Sequence, residues 1–176
     1  RCRACTPSRI PVASFAPDRS QRRCLARNDD LEVSLEPASA SDEAYALYQR
    51  YLQQRHPGGG MDDADPEDFS RFLVCPWSPT RFLCFRAGGR LVAVAVTVFK
   101  HAGTSEIYTF YEPDAGASYG TFSVLWQIEQ TRVLQLPHVY LGYWIERSPK
   151  MAYKAQFGPN EKLIDGAWMP SSRQTN

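Results

Sequence analysis

The chain has 176 residues, of which 43% are apolar and 22% are charged. These values are ordinary for a globular protein and exclude a disordered or low-complexity polypeptide. A chain of this length makes one complete domain that can bury roughly 70% of its unfolded surface, so it does not require a disulfide or metal staple. No apolar run approaches the roughly 20 residues of a membrane-spanning helix.

The net charge of +1 is an average over three segments of very different charge. Residues 1–28 hold seven arginines and one acid, residues 29–79 hold eleven acids and three arginines, and residues 80–176 hold ten basic and seven acidic groups. A basic segment such as the first is typical of a solvated surface, and it is also what a phosphate backbone attracts. The charge pattern therefore keeps nucleic acid open as a partner.

The five cysteines indicate a reducing compartment with free thiols, because their number is odd and no secretory leader precedes them. Cys2 and Cys5 form a C-x-x-C pair at a metal-ligand spacing, but a metal site needs about four ligands and the next cysteine, Cys24, stands alone. We therefore expect no complete metal site in this chain. Because the sequence starts with Arg1 and this pair, we also expect that an upstream segment has been lost.

Two helices are predicted in the acidic segment. Ser41 suits the N-cap, and apolar residues at helical spacing from 44 to 52 predict a helix with that face in the core. Pro57 and the glycines at 58–60 end it. Asp65 and Pro66 begin a second helix, which carries Phe69, Phe72 and Leu73.

The pattern then changes to the two-residue period of strands. We predict strands at 81–86, 91–99 and 106–111, with a tight turn between the first two. A helix follows from Thr121 to about residue 135, then a strand at 138–145 and a last helix at 149–157. The buried residues expected in the long helix and just after it are Phe122, Leu125, Ile128, Val133 and Leu136.

The order of these elements predicts the fold class. A strand, a helix and a strand in succession imply a right-handed crossover and a parallel pair, so the sheet is mixed. We predict an α+β fold of three α/β layers. The layout resembles the acyl-CoA N-acyltransferase (GNAT) fold, with a mixed sheet around a parallel strand-helix-strand core.

The start of the long helix is a candidate phosphate site, because its backbone N–H groups point into an open cleft. The loop at 116–121 has glycines at its first and fifth positions but no Arg or Lys between Asp114 and Arg132. It therefore indicates CoA only weakly, and an ordinary structural turn is the competing interpretation.

The two strands beside this helix are rich in aromatic residues: Tyr108, Phe110 and Tyr111 on one, and Tyr140, Tyr143 and Trp144 on the other. Strand alternation sends about half of them into the core. The others can line a cleft, where phenolic hydroxyls hold an amine or a ribose hydroxyl and rings stack on a terminal adenine. The last helix would bring cations to the mouth of this cleft, although a solvated helix end would look similar.

At these residues the sequence resembles the bacterial aspartate/glutamate leucyltransferases, a branch of the arginyl-tRNA–protein transferase family. The matching pieces run in order along nearly the whole chain, at 2–5, 20–23, 27–28, 55–61, 108–113, 120–122, 140–144, 150–154, 159 and 161. The chain departs from the family pattern at Ala117, Ser118 and Tyr119, where a basic residue is missing, and at Val98, where an acidic one is missing.

The resemblance implies a cytoplasmic enzyme that moves an aminoacyl group, leucine in this branch, from charged tRNA to the N-terminal α-amine of proteins beginning with Asp or Glu. The product is directed to degradation. The implied partners are aminoacyl-tRNA and such proteins, with the degradation machinery involved indirectly and no membrane. No cofactor is implied; an iron–sulfur cluster would need the missing N-terminal segment, with Cys2 and Cys5 as a remnant of that region. The choice between leucine and arginine as donor stays open.

The resemblance also implies a domain organisation and a set of site residues. Residues 1–32 would be the basic end of an N-terminal region, and residues 33–176 a GNAT-like aminoacyltransferase domain. The catalytic candidates are Tyr111, Tyr143 and Glu146, the last two as proton acceptors. The candidates for substrate binding are Arg55, His56, Tyr108, Gly120, Thr121, Trp144, Lys150, Tyr153 and Lys154. Those for tRNA phosphates are Arg22, Arg23 and Arg27.

Two other functions stay open on the same fold. One is a CoA-dependent N-acyltransferase, and the other is a non-catalytic module that reads acidic N termini. Triad chemistry finds little support, because the three histidines lie far apart in the sequence and no serine sits in a nucleophile-elbow pattern.

Overall fold

The computed structural model describes residues 4–55, 65–74, 78–113 and 116–171. The strands in these ranges are β1 (Thr6–Pro11), β2 (Glu32–Pro37), β3 (Thr80–Ala87), β4 (Arg90–Lys100), β5 (Gly103–Tyr111), β6 (His138–Trp144), β7 (Glu161–Ile164) and β8 (Ala167–Pro170). The helices are α1 (Arg19–Arg27), α2 (Asp42–Arg55), α3 (Pro66–Leu73), α4 (Tyr119–Val133) and α5 (Pro149–Ala152), followed by a 3₁₀ turn at Tyr153–Gln156. Among the described residues, no helix is long and apolar enough to cross a membrane.

The eight strands form one mixed sheet, in the spatial order β2-β3-β4-β5-β6-β1-β7-β8. The predicted antiparallel meander is confirmed, since β3 pairs with β4 and β4 with β5. Gly88 and Gly89 make the first turn at φ values of +55° and +80°, which a side chain rarely tolerates. The predicted parallel pair is also confirmed, between β5 and β6.

Helices cover both faces of the sheet, which makes the three predicted layers. On one face, apolar residues of α2 and α3 such as Leu47 and Phe69 pack on Val94 and Phe110 of the sheet. On the other face, α4 packs through residues such as Ile128 on the neighbouring strands, and α1 lies against α4. Because both faces are covered, every residue of β4 from 91 to 98 is buried.

Five elements are not predicted from the pattern: α1, β1, β2, β7 and β8. β1 contains Pro7 and ends at Pro11, and β2 is an edge strand that ends at Pro37. Their partners hold them in place, since β1 lies between β6 and β7, and β2 pairs with β3. The N-terminal residues thus contribute a strand to the same sheet as residues 33–176, and the proposed division at residue 32 remains a prediction.

Two expectations about the helices are wrong. Val133 is not buried but 64% exposed, because it lies on the side of α4 opposite Thr131, which is buried and bonded to Thr104 of β5. Leu136 lies beyond the end of α4 and is only partly buried. The last predicted helix is divided, since α5 ends at Ala152 and the chain tightens into the 3₁₀ turn.

Candidate active site

A cleft opens in the sheet where the two parallel strands separate. β5 and β6 pair at two register positions only, Thr104 with Val139 and Ser105 with Tyr140. Beyond them, β5 continues beside β4 and β6 continues beside β1. The aromatic residues predicted to flank the helix lie on these diverging ends, and α4 begins beside them. The strand pairing therefore leaves a gap between β5 and β6 at the place where the sequence analysis predicts a cleft.

A β-bulge places an acidic side chain beside this cleft. Thr97 of β4 pairs with Glu106 of β5, but the next residue back, Val96, pairs with Tyr108, so Ile107 is an extra residue in β5. The bulge brings Glu106 and Thr109 to the same face, where an unbulged strand would direct them to opposite faces. The Thr109 hydroxyl donates to Oε1 of Glu106 at 2.6 Å.

The Glu106 carboxylate is buried and only half satisfied. The residue is 9% exposed, and its Oε2 has no hydrogen-bond partner among the described residues. Burial raises the pKa of Glu106, while the bond from Thr109 and the charge of Lys154 lower it in part. A carboxylate in this situation binds a proton or a cation more readily than a solvated one.

Tyrosine rings from three elements surround the opening. The ring centre of Tyr51, on α2, lies 5.0 Å from the ring centre of Tyr111 and 6.3 Å from that of Tyr108. Tyr51 thus contacts two tyrosines that belong to opposite faces of β5. Burial raises the pKa of Tyr51 to about 12 and also raises those of Tyr108 and Tyr153, with the Glu106 charge contributing at Tyr51 and Tyr153. Near neutral pH these hydroxyls therefore keep their protons and can act as hydrogen-bond donors.

Lys154 supplies a buried cation from the 3₁₀ turn. The residue is 8% exposed, and its Nζ donates to the main-chain carbonyl of Tyr143 at 2.8 Å. Burial lowers the pKa of Lys154, and the charge of Glu106 raises it in part. The turn is held in place by Gln21 of α1, which donates to the Gln156 carbonyl at 3.0 Å, and by Asn160, which donates to the Lys154 carbonyl at 3.1 Å.

The beginning of α4 is fitted closely to Tyr111. A Cβ placed on Gly120 would lie 2.8 Å from Cε1 of the Tyr111 ring, so the ring occupies the space that a side chain would need. The guanidinium of Arg55, at the end of α2, lies 5.6 Å from the centre of the same ring. Ser118, the N-cap residue, makes no side-chain capping bond. The first backbone N–H groups of α4 are therefore not used by a capping side chain.

The structure brings together six of the predicted site residues: Arg55, Tyr108, Tyr111, Gly120, Tyr153 and Lys154. Thr121 follows in the first turn of α4 and is partly buried. Trp144 lies at the end of β6 with the Lys162 ammonium 3.0 Å from its ring centre.

Other predicted residues lie outside this group. The side chain of Tyr143 is 57% exposed, and Glu146 and Lys150 are exposed. Cys5 is an exposed free thiol. His56 and Cys2 lie outside the described residues.

The predicted tRNA-binding arginines lie on α1. Arg22, Arg23 and Arg27 are exposed, whereas Gln21 and Cys24 face the core. Arg22 donates to the carbonyl of Pro17, and Arg27 donates to that of Gly116 in the loop before α4. The basic face of α1 is thus tied to the loop that begins α4.

Glu106, Thr109 and Tyr51 are site residues that the sequence reasoning missed. Glu106 appeared only as the first residue of a predicted strand, and Tyr51 only as a core residue of a helix. The one available signal was an acidic residue inside a strand that follows a valine-rich neighbour. The bulge that turns Glu106 toward the opening leaves no sign in the apolar pattern.

Some features of the molecule lie away from this site. Among the described residues, no three His, Cys, Asp or Glu side chains are grouped to hold a metal ion. An apolar groove of about 830 Å³ runs between α4 and the outer strands, and its lining includes Leu35, Phe99 and Trp126. The groove shares no residue with the aromatic cleft.

Residues 43–164 match the family model described as arginine-tRNA-protein transferase, C terminus. The chain belongs to this family. It is 52% identical over 174 residues to the aspartate/glutamate leucyltransferase of Stenotrophomonas maltophilia, covering 95% of this chain and 69% of that protein. It is 46% identical over 172 residues to the enzyme of the same name from Alcanivorax borkumensis, and the match covers 97% of this chain and 71% of that protein. The predicted family resemblance is thereby confirmed.

Solved structures of low sequence identity share the fold. L-PGS from Bacillus licheniformis superposes with a TM-score of 0.64 at 9% identity, over 95% of this chain and 58% of that one. A GCN5-related glucosamine N-acetyltransferase region of a fungal multi-domain β-N-acetylglucosaminidase superposes with a TM-score of 0.54 at 7% identity. The superposition covers 94% of this chain and 20% of that one. These likenesses confirm the predicted GNAT-like fold.

Proposed function

We propose that this chain transfers leucine from leucyl-tRNA to the N-terminal α-amine of proteins that begin with Asp or Glu, and that the product is marked for degradation in the cytoplasm. The observation that carries the proposal is the 52% identity over 174 residues to an aspartate/glutamate leucyltransferase. The separation of β5 and β6 supports it, because beside this point tyrosine hydroxyls, the Lys154 cation and the Glu106 carboxylate lie close enough to interact electrostatically.

The reaction is aminolysis of an ester that is already activated, so it needs no covalent enzyme intermediate. Positioning of the two substrates and exclusion of water supply much of the acceleration. A tetrahedral oxyanion forms during the attack and needs hydrogen-bond donors. We assign this role to the first backbone N–H groups of α4 near Gly120 and to the hydroxyl of Tyr111. The rings of Tyr108 and Tyr153 and the side chains of Thr121 and Trp144 would contact the aminoacyl-adenosine end of the tRNA.

The acidic side chain of the acceptor protein requires a cation. Arg55 is the best placed, since its guanidinium lies 5.6 Å from the Tyr111 ring centre at the edge of the opening. A guanidinium can bind a carboxylate through two parallel hydrogen bonds, which suits Asp and Glu. Lys150 and Lys154 add positive charge on the β6 side, and His56 is a further candidate from the sequence. Tyr143 and Glu146 would lie at the margin of the cleft, since both residues are exposed.

The tRNA body would lie along α1. Arg22 and Arg23 present their charges on its exposed face, and Arg27 connects that face to the loop before α4. Phosphate contacts of this kind position a nucleic acid without reading its sequence. The tRNA acceptor end would thereby be directed toward the beginning of α4.

A transfer assay tests the proposed function. The full-length protein is incubated with tRNA charged with labelled leucine or arginine, and with peptides beginning with Asp, Glu or Ala. We expect leucine to label the Asp and Glu peptides, with no labelling of the Ala peptide or of an Asp peptide whose terminus is acetylated. Absence of labelling with every charged tRNA would overturn the proposal. Acetylation of the same peptides from acetyl-CoA would support the CoA-dependent alternative, and peptide binding without transfer would support a reader.

A further inference from the structure

The hydrogen bond from Thr109 and the charge of Lys154 do not fully satisfy the Glu106 carboxylate. Its Oε2 is buried without a hydrogen-bond partner among the described residues, and burial of such an oxygen destabilises a folded protein. Such exceptions in native proteins call for a reason, and a functional one is common. The position of Glu106 in the cleft indicates where to look for that reason.

The surroundings of Glu106 prepare it to receive an ammonium group. The Thr109 hydroxyl donates to Oε1 and orients the carboxylate. Oε2 is buried and has no hydrogen-bond partner among the described residues, so it retains its capacity to accept one. The negative charge of Glu106 raises the pKa values of Tyr51 on α2 and of Tyr153 and Lys154 beyond β6, so these groups lie within range of its electrostatic field. Tyrosine rings favour a cation near their faces, so they add to the attraction that the carboxylate exerts.

The tyrosines themselves are poor proton acceptors. Burial holds the pKa of Tyr51 at about 12 and raises that of Tyr153 as well, so both hydroxyls stay protonated near neutral pH. Tyr143 and Glu146 project toward solvent. Glu106 lies directly after Ser105, the last position at which β5 pairs with β6. Burial raises the pKa of its carboxyl group, and the charge of Lys154 lowers that pKa only in part.

We infer that Glu106 is a catalytic base of the transfer, which binds the α-ammonium of the acceptor protein through Oε2 and takes one of its protons. The inference rests on the proposed function. The neutral amine then attacks the ester carbonyl, a C–N bond forms, and the C–O bond to the tRNA ribose breaks. The nitrogen loses a second proton, which goes to the ribose oxygen, and the proton on Glu106 is released to solvent. Thr109 acts as a positioning residue, because it orients the carboxylate.

The substitution Glu106→Gln tests the inference, since it keeps the shape and the acceptor for Thr109 but removes the base. General-base removal reduces rates by about 100-fold to 10,000-fold, so we expect kcat to fall within that range while the KM for leucyl-tRNA changes little. The acidic limb of the pH profile of kcat/KM should disappear. Glu129→Gln is the matched control, because Glu129 is exposed on α4 and pairs with Arg132 away from the cleft.

Thr109→Val provides a second variant with a milder effect. In the wild type, the hydrogen bond from Thr109 stabilises the ionised form of Glu106. Its removal should therefore move the acidic limb to higher pH while the enzyme stays active. A purely structural role of Thr109 would not move this limb. An unchanged limb in Thr109→Val would therefore contradict the inference even if Glu106→Gln failed to fold.

The leucyl group of the donor also carries an α-ammonium. One experiment distinguishes binding of this group by Glu106 from binding of the α-ammonium of the acceptor protein. Leucyl-tRNA and N-acetyl-leucyl-tRNA are compared as donors with both forms of the enzyme. If Glu106 binds the acceptor, acetylation of the donor has the same effect in wild type and in Glu106→Gln. An acetylation penalty present in wild type and absent in the variant would show that Glu106 holds the donor, and would overturn the assignment.

Thermal unfolding gives a readout that does not depend on activity. The pKa of Glu106 is higher in the folded state than in the unfolded state. Protonation of Glu106 therefore contributes to the free energy of unfolding below the unfolded-state pKa, and this stabilisation is lost as the pH rises through the folded-state pKa. Glu106→Gln should therefore raise Tm at neutral pH, and the gain should shrink toward acid pH. If wild type labels the peptide and Glu106→Gln does so equally well, the inference fails. If wild type labels nothing, the proposed function fails instead.

Discussion

The substitution Gly120→Ala tests whether the position of Tyr111 controls the reaction. The added Cβ would lie 2.8 Å from Cε1 and 3.2 Å from Cζ of the Tyr111 ring. Carbon atoms prefer separations near 3.5–4.0 Å, so the ring must retreat by roughly 0.7–1.2 Å. Tyr111 lies 5.0 Å from the Tyr51 ring and beneath Arg55, and its displacement would therefore reach both sides of the opening.

The effect on stability should be small compared with the effect on activity. Alanine is favoured over glycine in a helix by about 0.8–1 kcal/mol, and crowding of a packed site costs about 1–3 kcal/mol, so the two contributions partly cancel. A displacement of about 1 Å in a catalytic arrangement can reduce a rate by about 100-fold. We expect a fall of that order in kcat/KM for leucyl transfer, with a change in the free energy of unfolding below about 2 kcal/mol.

The assay measures kcat/KM for an Asp peptide and the urea unfolding curve of the same preparations. Glu129→Ala serves as the control, because it changes an exposed residue of the same helix. Wild-type activity in Gly120→Ala would refute the argument that the close contact with Tyr111 positions the reacting groups. A loss of activity that merely follows the unfolded fraction would refute it as well.

Three further substitutions test other parts of the structure. Phe69→Ala removes a fully buried ring that contacts Tyr48, and urea unfolding should show a loss of about 3–5 kcal/mol. Asp18→Ala removes the capping box of α1, in which Asp18 accepts from the backbone N–H of Gln21 at 2.8 Å; the same measurement should show a loss of about 1 kcal/mol. Arg23→Glu should raise the KM for leucyl-tRNA and weaken its dependence on salt concentration, with kcat unchanged; an unaltered salt dependence would remove α1 from the proposed tRNA surface.

The predicted elements succeed where local pattern and tertiary packing agree. The spacing of Ala44, Tyr48 and Leu52 in α2 gives that helix an apolar face, which packs on the sheet. The valine-rich run of β4 is apolar on both faces, and helices cover both. An element that packs on the core must be apolar along the whole of its buried face, so its residue pattern is a strong signal in the sequence. The same reasoning fails at Val133, which is exposed because Thr131 of the same turn, on the opposite side of α4, faces the sheet.

The short strands at the sheet margins depend on their partners. β1 consists of TPSRIP and lies between β6 and β7, and β2 consists of EVSLEP and pairs with β3 alone. The prolines in both segments weaken the local case for strands, because proline cannot donate a hydrogen bond to a neighbouring strand. Hydrogen bonds from neighbours distant in the sequence override that preference, and this information is absent from the local pattern.

The sequence by itself determined the family, the three-layer order of helices and strands, and the presence of aromatic residues on both strands beside α4. These features follow from periodicity and from motifs that stand in a fixed order along the chain. Only the tertiary structure decided that β5 and β6 separate after two paired positions, and that a bulge at Ile107 turns Glu106 toward the opening. Strand separation and bulging depend on pairing with distant residues, and so does the burial that perturbs the Glu106 carboxylate.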